Sequence, residues 1–131
     1  MNYAIIGLGY WGKNYYRILN SNDNINLSAV VDSNQNINLD EGIQHFPDLE
    51  HLLNSEISID AAIVATPTNT HYDITKKLLN NGINVLVEKP LSTKSNEASE
   101  LINLADEKNL VLLVDHTFLY NEAINFAIKS I

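Results

Sequence analysis

The 131-residue sequence predicts an α/β fold, a doubly wound parallel sheet, and three observations carry that prediction. Short aliphatic and β-branched runs alternate along the chain with stretches of helical spacing, the order that sets parallel strands side by side with crossover helices. Several of those runs are apolar without interruption, as suits strands covered by helices on both faces. Gly7, Gly9 and Gly12 spell G-x-G-x-x-G directly behind the first run and ahead of the first helical stretch.

Strands are expected over 3–6, 27–31, 61–64, 84–87 and 110–114, with a weaker one over 43–46. After the first strand, Trp11, Tyr15, Ile18 and Leu19 recur at i, i+4, i+7 and i+8, one face of a helix. A short helix over 48–53 is opened by Pro47, whose fixed φ suits a first helical turn. Ile74 and Leu78 mark the next helix, which Asn81-Gly82 ends as a C-cap. Ala98, Leu101, Ile102 and Ala105 mark another. After Phe118 the alternation stops. Residues 121–131 read as a helix whose stripe of Ala123, Ile124, Ala127, Ile128 and Ile131 has no partner in the sequence.

Composition removes whole classes of function. There is no cysteine, hence no disulfide, thiolate metal site or cysteine nucleophile. No apolar run approaches the roughly 20 residues that span a bilayer, and Met1-Asn2 leads straight into a strand without a basic leader. A soluble cytoplasmic protein is expected, without a metal site. The net charge is −8, and no lysine or arginine stands between Arg17 and Lys76, where nine acidic residues fall. Nucleic acid needs cations against its phosphates, so it is not an expected partner; nor is a membrane.

The glycines meet three tests of context. They follow a strand, they open a helix, and Asp32 stands 20 positions beyond Gly12 at the end of the second strand. Each then has a task. Gly7 allows the tight turn, Gly9 lets the backbone approach a pyrophosphate, and Gly12 lets helix and strand pack closely. Free amides at the helix N-terminus receive the phosphate charge, and Asp32 accepts hydrogen bonds from the adenosine ribose. Ser33-Asn34-Gln35-Asn36 follow Asp32 with no lysine or arginine, so a 2′-phosphate would meet a carboxylate and no offsetting cation. NAD is therefore expected over NADP.

The segments IIGLGYWGKN (5–14), VATPTNTHYDI (64–74) and VLVEKPLS (85–92) together resemble the N-terminal domain of the Gfo/Idh/MocA oxidoreductases. DHTFLYNEA (115–123) is most similar to the UDP-N-acetylglucosamine 3-dehydrogenase branch of that family. The resemblance implies a Rossmann fold over 1–118, with 119–131 beginning a second, substrate-binding domain that is absent here. The placement agrees with the physics, because ligands of open parallel sheets bind outside the carboxyl ends of the strands. Thr66-Pro67, Glu88-Lys89-Pro90 and His116 end the fourth, fifth and sixth strands.

By the same resemblance, Thr66, Pro67, Thr68 and His71 line the cofactor, and Glu88 and Lys89 approach its nicotinamide ribose. Lys89 is also the catalytic residue, taking the proton of the substrate hydroxyl as hydride leaves. Tyr10, Trp11 and His116 join the cofactor-binding group, and the Lys89–Pro90 bond is expected to be cis. Two residues keep a second reading: His71 packs at a helix start as readily as it touches a ligand, and His116 can be a satisfied strand-end histidine. Two positions depart from the family pattern. Thr68 stands where asparagine is frequent, and Glu122 where proline commonly follows HTFLYN.

The implied function is NAD-dependent oxidation of a secondary hydroxyl of a sugar or sugar nucleotide, with the fragment alone inactive. Homo-oligomers are expected only of the full-length protein. The alternative is a non-catalytic NAD-binding sensor or regulatory module of the same family.

Overall fold

The computed structural model describes residues 1–130; Ile131, the last position of the expected apolar stripe, lies outside them. The strands are β1 (Asn2–Ile6), β2 (Asn26–Val31), β3 (Gln44–Phe46), β4 (Ala61–Val64), β5 (Asn84–Glu88) and β6 (Leu112–Asp115). The helices are α1 (Tyr10–Asn20), α2 (Leu49–Leu53), α3 (His71–Asn80), α4 (Ser95–Lys108) and α5 (Glu122–Lys129), with 3-10 turns over Thr68–Thr70 and Thr117–Tyr120. All six strands join one parallel sheet in the order β3-β2-β1-β4-β5-β6. The chain winds outward from β1 to β3, then restarts beside β1 at β4. That reversal opens a crevice between the carboxyl ends of β1 and β4.

Strand alternation divides the core into two layers. Ala4, Ile6, Ala62, Val64, Val85 and Val87 pack against Leu52, Leu78, Leu79 and Leu101 from α2, α3 and α4. Ile5, Val30 and Ile63 point the other way, toward Leu19 of α1. This second layer is thinner. Leu113 of β6 and the preceding Val111 are 57% and 55% exposed, with no helix among the described residues burying them on that face.

The helix ends explain where each element stops. Gly82 takes φ 76 after α3, while its N–H reaches the Leu79 carbonyl and the Ile83 N–H the Leu78 carbonyl, both at 3.1 Å. Two orphan carbonyls are satisfied in this way. Asn109 does the same after α4 with φ 54, and the Leu110 N–H bonds Ala105 O at 2.9 Å. Pro47, expected to open α2, lies outside it. Asp48 is the N-cap, and its carboxylate accepts from the His51 N–H at 3.0 Å. A cap that satisfies an orphan amide fixes the start more firmly than a proline that is merely compatible with it.

Two stripes fit less closely than their spacing suggests. Leu19 is buried, but Trp11 and Ile18 are 42% and 52% exposed, since α1 spans only part of its sheet face. In α5, Asn121 caps the Ala123 and Ile124 amides at 3.0 and 3.2 Å, yet no residue of the helix is buried. Among the described residues, no helix is long and apolar enough to cross a membrane.

The unequal layers should be measurable. Leu101 is fully buried, so Leu101→Ala should cost about 2–5 kcal/mol in urea unfolding. Leu113→Ala, on the uncovered face, should cost less than about 1 kcal/mol.

Candidate functional site

The glycine loop is shaped by close backbone approaches. Gly7 adopts φ 91, and a Cβ there would lie 2.9 Å from both the Ala65 carbonyl oxygen and Thr66 Cγ2. Its N–H bonds Val31 O at 2.8 Å, and the Ala65 N–H bonds Ile6 O at 2.8 Å, so β1, β2 and β4 all converge on this turn. Gly12 is tighter still, since a Cβ would fall 2.0 Å from the Gly7 carbonyl oxygen. Gly9 differs: nothing lies within 4 Å of the Cβ it lacks. It caps α1 without any side-chain hydrogen bond, and the first turn carries no acidic residue. The first amides of α1 are thus left for a ligand anion, at the positive end of the helix dipole.

Asp32 closes the loop from the side. Its Oδ2 accepts from the Leu8 N–H at 2.6 Å and its Oδ1 from the Asn34 N–H at 2.8 Å. An ionised carboxylate has about four lone-pair positions, so acceptor capacity remains for ribose hydroxyls. A cleft of about 500 Å³ runs between the glycine loop, Asp32 and Thr66-Pro67. A second pocket of about 550 Å³ lies against Asp32 with Gly9, Lys13 and Asn34 in its wall.

The expectation that no cation stands near Asp32 is corrected here. Lys13 from α1 and Lys77 from α3 reach these two pockets, although neither lies in the loop that follows Asp32. Lys77 is paired with Glu50, and Asp48, Glu50 and Asp73 line the same cleft as Asp32. The cleft wall is therefore negative despite its lysine. Lys13 has no ion-pair partner among the described residues.

His71 takes its packed alternative. The residue is 1% exposed, with Nδ1 2.8 Å from the Pro90 carbonyl oxygen and Nε2 2.9 Å from that of Thr66. Both ring nitrogens face protein carbonyl oxygens, to one of which a neutral imidazole donates at a time, and the ring is enclosed at the helix start. It ties the loop after β4 to the turn after β5. Thr66 remains at the cleft with Pro67, its hydroxyl accepting from Thr70 at 2.7 Å. Thr68 is half-buried in the following 3-10 turn and forms no part of the cleft wall. Tyr10 and Trp11 meet edge to face, centroids 5.5 Å apart, outside both pockets.

Lys89 and His116 come together at a separate cavity of about 550 Å³, which Asp115 and Phe118 also line. The Lys89–Pro90 bond is cis, as the resemblance implies. Glu88 faces away from that cavity. Along β5, Val85 and Val87 enter the thicker layer, so Glu88 turns with Leu86 toward α1. There it is 6% exposed, accepting from the Tyr15 hydroxyl at 2.9 Å and the Lys89 N–H at 3.3 Å. Its carboxylate is held by the protein and does not line the cavity.

Tyr15 also hydrogen-bonds Asp115. Burial first, then the hydrogen bonds to Asp115 and Glu88, pushes its phenol well above the usual range. Sequence reasoning named Glu88 but missed Tyr15 and Asp115 in this group. Tyr15 reads there as one member of an apolar helical stripe, and the pairing of Glu88 with Asp115 depends on strand register.

Comparison with known proteins agrees with this geometry. The model of the oxidoreductase family with an NAD-binding Rossmann fold, Gfo/Idh/MocA, matches residues 1–116. A 2,7-anhydro-N-acetylneuraminate hydratase of Mediterraneibacter gnavus is 29% identical over 133 aligned positions, covering all of this chain and 35% of the relative. UDP-N-acetylglucosamine 3-dehydrogenase of Acidithiobacillus ferrooxidans is 35% identical over 81 positions, 62% of this chain and 25% of that protein. Among solved structures, GenD2 of gentamicin A biosynthesis in complex with NAD superposes with a TM-score of 0.89 at 28% identity, covering 99% of this chain and 38% of that one. Myo-inositol 2-dehydrogenase of Lactobacillus plantarum gives 0.85 at 26% identity, covering 98% and 40%. The chain thus spans about a third of the first curated relative and about two fifths of these structures.

The two loop glycines should separate folding from binding. Gly12→Ala drives a methyl into the Gly7 carbonyl and should cost about 2 kcal/mol or more in thermal or urea unfolding. Gly9→Val should fold like the parent yet weaken NADH binding at least about tenfold in a fluorescence titration, because only ligand space is filled.

Proposed function

The chain belongs to the Gfo/Idh/MocA oxidoreductase family, and from that premise we propose that it is the cofactor-binding half of an NAD-dependent dehydrogenase oxidising a secondary hydroxyl of a sugar or sugar nucleotide. One observation carries the reading. The uncapped N-terminus of α1 and the exposed Lys89 stand on the same carboxyl edge of one sheet, each beside an open cavity. Bound NAD supplies the hydride acceptor.

The residues of the chain do the rest. The first amides of α1 hold the pyrophosphate, with Gly9 leaving room for it. Asp32 accepts from the adenosine ribose, and Thr66-Pro67 forms the facing wall. Thr68, Tyr10 and Trp11 serve as outer contacts at the rim. Lys89 takes the hydroxyl proton as the C–H bond of the substrate gives up its hydride, with His116 on the same cavity wall. The carbohydrate class is supported by the names of two relatives, a sialic-acid-derivative hydratase and a UDP-sugar dehydrogenase. In this reading the Rossmann unit ends at 118, and 119–131 begin a substrate domain that carries the remaining catalytic groups and the oligomer interface. The protein acts in the cytoplasm.

NAD is the favoured dinucleotide. A 2′-phosphate at Asp32 would meet that carboxylate with Asp48, Glu50 and Asp73 across the cleft and Lys77 already neutralised by Glu50, leaving Lys13 of the second pocket as a lone cation against four carboxylates. Calorimetric titration should give a Kd for NADH at least about tenfold below that for NADPH. Equal or inverted affinities would overturn the preference. Replacing Asp32 by serine and Ser33 by arginine should move it toward NADPH.

The chain alone should bind cofactor and show almost no turnover with UDP-N-acetyl sugars or inositol, followed by reduced-nicotinamide absorbance. Positioning of the substrate supplies many orders of magnitude of rate, and in this reading the groups that do it belong to the substrate domain. Turnover near that of complete relatives would refute the division of labour.

A further inference from the structure

Two carboxylates meet at the carboxyl ends of β5 and β6 with no cation between them. Glu88 and Asp115 are register partners in adjacent parallel strands, so their side chains leave the sheet on one face. From α1, Tyr15 sets its hydroxyl between them, 2.9 Å from Glu88 Oε1 and hydrogen-bonded to Asp115 Oδ2. Among the described residues, no lysine, arginine or histidine forms an ion pair with either carboxylate. A phenol has one proton and donates it to one oxygen at a time, so the pair is left one donor short.

The two carboxylates are not equivalent. Glu88 is buried, and its second oxygen accepts from the Lys89 N–H. Asp115 is half-buried and forms part of the cavity wall that Lys89 and His116 share. The uncompensated charge therefore opens toward the cavity on the Asp115 side, and Lys89, a cation whenever it holds its proton, shares that wall on a flexible stem. His116 is the other titratable group there.

We propose that Asp115, pinned by Tyr15, is a positioning residue for Lys89: its carboxylate is the counter-charge that draws the ammonium to the β6 side of the cavity, and the Tyr15 hydroxyl sets how much of that charge is free. The role rests on the reading that Lys89 carries the proton transfer, but its test needs no turnover. Because burial and its two acceptors hold the phenol protonated, Tyr15 orients and partly neutralises; it does not relay protons.

The test is competitive amine labelling of the 131-residue chain at fixed alkaline pH, read by mass spectrometry. The rate at Lys89 is expressed relative to the exposed Lys108 and Lys129 of the same sample. Asp115→Asn keeps an oxygen to accept the Tyr15 proton but removes the charge, so Lys89 should label about threefold faster. Tyr15→Phe leaves Asp115 with its full charge, so Lys89 should label at least about twofold more slowly. Opposite shifts are the signature, because loosened structure would speed labelling in both variants. Unchanged rates in both variants, or shifts in one direction, would overturn the assignment. Should Tyr15→Phe fail to fold, Asp115→Asn decides alone, and an unchanged Lys89 rate there refutes the proposal. NADH titration of the unmodified chain separates the two claims: loss of cofactor binding would sink the proposed function and leave the labelling result standing.

Discussion

The approach of Gly12 to the Gly7 carbonyl fixes the rest of the site. A Cβ at Gly12 would lie 2.0 Å from that oxygen, so helix α1 can begin where it does only because no side chain intervenes. From this contact the direction of α1 follows. Its N-terminus opens beside the crevice between β1 and β4, and Tyr15, little more than one turn along, reaches across to β5 and β6. One steric allowance thus sets both the uncapped end of α1 and the polar tie from Tyr15 to β5 and β6.

The sheet is built unequally, and the inequality bears on function. The layer under α2, α3 and α4 is closed, with Leu78, Leu79 and Leu101 fully buried. The layer under α1 leaves Val111 and Leu113 open, while α5 presents Phe126 and Ile128 at 75% and 61% exposure. Val111 and Leu113 line a groove with Met1 and Tyr3, and the apolar surface at the cavity of Lys89 and His116 is that of Phe118, Leu119 and Ile124. In the proposed reading it is where the substrate domain adjoins the Rossmann unit.

Legibility in the sequence followed the range of the forces involved. Strands and the glycine turn are local, and a few residues of pattern suffice to find them; Gly82 likewise announces the end of α3. Pro47 and Asp48 offered competing signals for the start of α2, and the group that makes a hydrogen bond prevailed. Interactions across the fold were hidden. The approach of Lys13 and Lys77 to Asp32 joins separate helices, and the pairing of Glu88 with Asp115 depends on a register that no single strand reveals. His71 was ambiguous for the same reason. Its sequence neighbours do not disclose that the Pro90 carbonyl, 19 positions away, takes one of its nitrogens.

Asp32 carries a burden that cofactor chemistry alone would not give it. The carboxylate proposed to read the ribose is also the acceptor for the Leu8 amide inside the glycine loop, at 2.6 Å. Selectivity and loop rigidity are therefore written in the same two oxygens. A lineage drifting toward a different dinucleotide has to relinquish that tether or rebuild it with a smaller acceptor, so the two traits evolve as a linked pair.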